Sequence, residues 1–107
     1  MADRDSDSSD HVGPVLRSGS VADAVIAAIR QHHAETVVVD RGAYRRVLVP
    51  GRCVVTRVAI EAHLGRPVRF PGDLEKVMPA FKGRFTVSEE CAVWACQAVE
   101  SHHPERG

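Results

Sequence analysis

Six histidines and three cysteines are the residues of this 107-residue chain best able to do chemistry, and their spacing decides what chemistry is open to them. His32-His33 and His102-His103 are adjacent pairs, and neighbours in sequence point away from each other on a helix or a strand, so neither pair can share a metal ion. Glu61 and His63 stand two apart, which is the wrong offset for two ligands on one helical face. No C-x-x-C or H-E-x-x-H pattern occurs. Cys53, Cys91 and Cys96 are an odd number without a C-x-x-C pair, which fits reduced thiols. Cys91 and Cys96 bound the apolar run CAVWAC and read as small buried hydrophobes rather than nucleophiles. Glycines are scattered singly at turns, so no phosphate-cradling loop forms. The exposed-serine candidates are tail or cap residues and give a triad no anchor. A small enzyme built on His63 or Cys53 would need a cleft that shifts their pKa values, and the sequence shows none.

Charge offers a second route to function. Fourteen Lys plus Arg balance fourteen Asp plus Glu, which argues against a generic polyanion binder, because nucleic-acid affinity comes from excess cationic charge. The zero conceals a segregation. Residues 1–10 carry Asp3, Asp5, Asp7 and Asp10 against Arg4, whereas Arg41, Arg45, Arg46, Arg52, Arg57, Arg66 and Arg69 face a single acid, Glu61. The first segment is too polar to offset its ordering entropy and is expected to be disordered. Five aromatics, Tyr44, Phe70, Phe81, Phe85 and Trp94, are mostly needed for a core and leave few rings to stack nucleobases. No apolar run approaches the ~20 residues of a membrane span, and MADRDSDSSD lacks the basic start and apolar stretch of a signal peptide. A cytoplasmic protein is expected. With an acidic tail, a basic centre and no catalytic constellation, the pattern is that of a partner protein.

The elements that must position these charges follow from periodicity. Val12 to Arg17 reads as a strand, with Pro14 confining it to an edge or to the start of pairing. Ser20 and Asp23 form an S-x-x-D cap for a helix over 20–33, whose Val21, Ala24, Val25, Ala28 and Ile29 recur at helical spacing. Thr36–Val39 and Ala43–Val49 are strands joined by Asp40-Arg41-Gly42, and Pro50-Gly51 turns into a third strand at Cys53–Val55. Thr56 caps a helix over 56–64 that Gly65 and Pro67 end, and Pro71-Gly72-Asp73 opens a short helix at Leu74–Met78. Arg84–Val87 and Cys91–Cys96 are the final strands. The order predicts an α+β domain of two βαββ-like halves, with helices packed on antiparallel sheet.

VGPVLRSG at 12–19, DRGAYRRV at 40–47, LGRP at 64–67 and the F-x-G of Phe81–Gly83 occur in an order and spacing that resemble the coupling or effector proteins of soluble bacterial multicomponent di-iron monooxygenases, above all those of the toluene and alkene systems. The resemblance covers residues 12 to about 96. It implies a regulatory protein, monomeric when free, without cofactor or metal of its own, that docks on the di-iron hydroxylase and tunes dioxygen activation, substrate access and coupling. An effector domain over 12–98 is expected, and composition leaves a disordered acidic tail at 1–11 and a flexible polar tail at 99–107 on either side of it. Candidate docking residues are Arg17, Arg41, Tyr44, Arg46, Arg66, Phe81 and Lys82, with core packing as the competing role for Tyr44 and ordinary surface charge for each arginine. The alternative function is a small-ligand-sensing regulatory domain of ferredoxin-like type, which the same element order permits.

Overall fold

A computed structural model describes residues 10–96, so the expectations for segments 1–9 and 97–107 lie outside the described residues. The first half runs β1 (His11–Arg17), α1 (Ser20–His32), β2 (Val37–Asp40) and β3 (Tyr44–Pro50). The second runs β4 (Arg52–Thr56), α2 (Arg57–Leu64), α3 (Gly72–Val77), β5 (Ala80–Lys82), β6 (Arg84–Val87) and β7 (Cys91–Ala95). Both halves therefore have the expected βαββ-like order, with β5 as an addition that the sequence pattern did not reveal.

Strand order is β2-β3-β1-β5 in one sheet and β4-β7-β6 in the other, with every pairing antiparallel. The first, last and middle strands of each half thus lie side by side in the same order. The ferredoxin-like likeness is limited to the order of elements, because the strands divide between two sheets instead of forming one. The chain crosses from the first sheet to the second at Gly83, between β5 and β6. Its φ is +105°, and a Cβ there would lie 2.7 Å from both the Ala95 carbonyl oxygen and Val12 Cγ1, so backbone conformation and space both require glycine.

Two local expectations are corrected. Pro14 does not place β1 at an edge: the strand is interior, with β3 on one side and β5 on the other. The β1–β3 ladder has partners at His11, Val12, Val15, Leu16 and Arg17 and skips Gly13 and Pro14, so the proline falls in a gap of that ladder while still pairing with Phe81 of β5. Gly13, with φ +149°, lets the Val47 carbonyl approach closely at that gap. At α1 the cap is Gly19, not Ser20, and no side chain caps the helix. Asp23 instead turns to the sheet and pairs with Arg45 at 2.5 Å. The cap of α2 forms as the sequence indicates: Thr56 Oγ1 accepts from the Ala59 N–H at 3.2 Å, and Gly65 ends the helix at φ 83°.

The inner faces of both sheets share one core with the helices. Val12, Leu16, Val47 and Val49 come from the first sheet, Cys53, Val55, Ala92 and Trp94 from the second, and Val25, Ile29, Ile60 and Leu74 from the helices. Burying each large aliphatic side chain stabilises by roughly 1.5–3 kcal/mol. Trp94 is fully buried and stacks on Phe85 at 5.2 Å between ring centroids, and Phe85 in turn meets Phe81 at 5.3 Å. Cys91 is half-exposed rather than buried, because alternation along β7 sends Ala92 and Trp94 inward and Cys91 and Val93 outward. Cys96, just past the strand, is likewise half-exposed.

Candidate functional site

The outer face of the four-stranded sheet is where most of the candidate residues meet. Register places Val39, Arg46, Val15 and Ala80 in one row across β2, β3, β1 and β5, with Val37, Leu48, Gly13 and Lys82 in the next. Arg17 lies opposite Tyr44 on the same face. Side chains of alternate residues share a face, so Val15 and Arg17 point outward while Leu16 enters the core. Arg46 likewise points outward while Arg45 turns toward Asp23 of α1. The side chains of this face are exposed or half-exposed, apart from the close-packed Gly13 backbone. It is therefore an unburied sheet surface mixing Val37, Val39, Val15, Leu48 and Tyr44 with cations.

Among the described residues no acidic residue of these strands points to this face, and the side chains of Arg17, Arg41 and Arg46 have no acidic partner. Arg41 projects from the β2–β3 turn, whose shape is held by several hydrogen bonds. Asp40 Oδ1 accepts from the Gly42 N–H at 2.8 Å, the Tyr44 carbonyl accepts from the Arg41 N–H at 2.8 Å, and the Ser18 hydroxyl donates to the Gly42 carbonyl at 2.6 Å. Val15, Arg41, Tyr44 and Arg46 line an open concavity of about 210 Å³. Tyr44 is 39% exposed, so it is not a core residue.

Of the seven candidates, Arg17, Arg41, Tyr44, Arg46 and Lys82 are thus brought together. Phe81 is not on that face, since its register partner is the inward Pro14, and it reaches the surface at the sheet margin with 46% exposure. Arg66 stands apart, exposed just past the Gly65 cap. Val15, Val37, Val39 and Leu48 were missed as candidates. Their alternation was visible in the sequence, but which parity faces outward depends on where α1 packs.

The titratable groups elsewhere serve structure. Burial pushes the Cys53 thiol up to about 12, so it stays protonated and inert. His33 Nε2 accepts from the Val54 N–H at 2.9 Å, which satisfies a donor on the edge strand β4, and burial lowers its pKa. His63 Nε2 lies 2.9 Å from Gln31 Oε1 and joins α2 to α1. Arg57 ties α2 to the β6–β7 turn: it pairs with Glu61 at 2.9 Å and Glu90 at 3.1 Å and donates from Nε to the Glu89 carbonyl. Glu61 also accepts from the Val68 N–H at 2.8 Å, and that bond, aided by Arg57, holds its carboxyl below the usual range. Among the described residues no cluster of His, Cys, Asp and Glu is placed to hold a metal ion, and no helix is long and apolar enough to cross a membrane.

Comparison with known proteins places the chain by sequence and by fold. The chain is 40% identical over 85 residues to the alkene monooxygenase system effector subunit of Xanthobacter autotrophicus (strain ATCC BAA-1158 / Py2), a match spanning 78% of this chain and 83% of that protein. The fold is that of a chain in the phenol hydroxylase–regulatory protein complex, with a TM-score of 0.69 at 14% identity over 79% of this chain and 95% of that one. It is also that of the soluble methane monooxygenase regulatory protein B, with a TM-score of 0.63 at 19% identity over 90% of this chain and 74% of that one. The model of the MmoB/DmpM family matches residues 10–95, which is nearly all of the described chain, and the protein belongs to that family.

Proposed function

We propose that this protein is the effector subunit of a soluble multicomponent di-iron monooxygenase acting on hydrocarbons. It binds the hydroxylase component and tunes dioxygen activation, substrate access and the coupling of NADH use to product. The observation that carries this reading is the 40% identity to an alkene monooxygenase effector subunit over most of both chains. The effector has no active site of its own and works in the cytoplasm, with residues 12–98 as the working domain. Arg17, Arg41, Tyr44, Arg46 and Lys82 present the docking face, and Phe81 and Arg66 add contacts from outside it.

Physically, such a subunit acts by population shift. It alters the hydroxylase only as far as it binds the active conformation better than the resting one. A tenfold preference is about 1.4 kcal/mol, within the range of a few arginines and one aromatic at a half-buried interface. The test is steady-state oxidation by a purified alkene-oxidising di-iron hydroxylase and its electron-transfer partners, with this protein titrated to excess. Product formation and NADH coupling are expected to change and then saturate, and the docking rate to fall with added salt. Unchanged turnover and coupling across the titration would falsify the effector reading.

A further inference from the structure

We infer that the concavity bounded by Val15, Arg41, Tyr44 and Arg46 receives one acidic side chain presented by the hydroxylase. The inference rests on the effector reading and adds to it the chemistry of a single contact. Two guanidiniums border the site, one from the β2–β3 turn and one from the middle of β3. Elsewhere in the molecule Arg45 and Arg57 are held by Asp23, Glu61 and Glu90, whereas Arg41 and Arg46 have no carboxylate partner among the described residues. Asp40, the acid nearest in sequence, is not available to them: its Oδ1 accepts the Gly42 N–H, and its register partner is Arg45, on the opposite face. The positive charge of the site is therefore uncompensated from within the described chain.

The shape supports the same occupant. Val15 offers an apolar surface for a methylene stem, and the Tyr44 hydroxyl adds a neutral donor beside the two forks. A volume of about 210 Å³ equals roughly seven water molecules, which accommodates a carboxylate with its stem. A planar guanidinium fork matches a carboxylate with two parallel hydrogen bonds, which an ammonium cannot do. The hydrogen-bonded turn already fixes the backbone that carries Arg41, so less order is lost on docking.

The test is the same oxidation titration with R41E, R46E, R46Q and, as a control of equal charge change on the exposed end of α1, R30E. Each of R41E and R46E is expected to raise the half-saturating concentration tenfold or more, with R46Q between them and wild type. Activity at saturation should be restored, R30E should titrate as wild type, and thermal melts should be unchanged because neither side chain loses a partner. If wild type stimulates oxidation but R41E and R46E titrate as it does, this inference fails and the effector reading stands. If wild type has no effect, both fall together. Two further results would overturn the assigned occupant. One is a variant lacking residues 2–9 that binds tighter and makes R46E silent, since the chain's own aspartates would then fill the site. The other is tight binding of succinate alone, which would mark a small-acid receptor.

Discussion

The two sheets share one topology and solve their exposed edges differently. In the first, the free side of β1 is covered by β5, and in the second the edge strand β4 has its Val54 N–H answered by His33 from the end of α1. Exposed strand edges invite unwanted pairing, and the three-residue length of the edge strand β5 and the answered N–H on β4 both limit it. The outer faces differ as well. The first carries Arg17, Arg46 and Lys82 among valines, while the second offers Thr56, Thr86, Cys91 and Val93 beside Arg52 and Arg84. The two halves thus share an order of strands and one core, and differ in the side chains they leave on the outside.

The sharpest contrast between inner and outer faces is in the second sheet. Cys53 points into the core and Cys91 outward, so thiol alkylation at neutral pH should label Cys91 at least about a thousandfold faster than Cys53, which reacts only through rare unfolding. Mass spectrometry of the labelled peptides measures the ratio, and comparable rates would break the face assignment. Next in size is Gly83→Ala at the crossing between sheets. Overpacking against Val12 and the Ala95 carbonyl, together with the positive φ, should cost about 3 kcal/mol or more in urea unfolding. Gly42→Ala, with φ +80° but open space around it, should cost only about 1 kcal/mol.

His33→Ala comes after these. Loss of the acceptor for Val54 should cost about 1 kcal/mol. The same residue sets a pH dependence. Its folded pKa is depressed, so its contribution is fully present above the ordinary value of about 6.5 and is lost as pH falls through the lower folded value. Glu61, also depressed, adds a second loss in the carboxylate range, as pH falls below its ordinary value and through its folded one. Melting temperatures across mildly acidic pH should therefore decline in wild type and decline less in His33→Ala. Smallest of all, Val39→Thr on the outer face of the first sheet should change stability by no more than about 0.5 kcal/mol, because that side chain is not part of the core.

Much of the architecture was legible in the sequence because its signals are local. The valine run of β2, the Asp40-Arg41-Gly42 turn, the Thr56 cap and the Gly65 stop each act within a few residues, and each element lies within a residue or two of its expected place. What escaped depends on distant partners. β5 is three residues long after Pro79 and has no periodicity of its own, and it is a strand because β1 offers an edge. Pro14 looked like an edge marker, yet it falls in a gap of the β1–β3 ladder. Ser20 had the right neighbour for a capping box, but Asp23 found Arg45. The candidate surface was half legible for the same reason. Charge counting located the arginines, whereas separating Arg46 from Arg45, and Lys82 from Phe81, required the register of four strands.

Trp94 is the only tryptophan in the chain, and its indole N–H is buried without an acceptor among the described residues. An indole in so dry a setting emits toward the blue, and it is joined through Phe85 to Phe81 at the surface beside the cationic sheet. The molecule consequently contains its own optical sensor. Repacking of Phe81 on contact with another protein would reach this single emitter through Phe85, which meets Phe81 at a tilt and stacks on the indole, so binding can be followed by intrinsic fluorescence without attaching a dye.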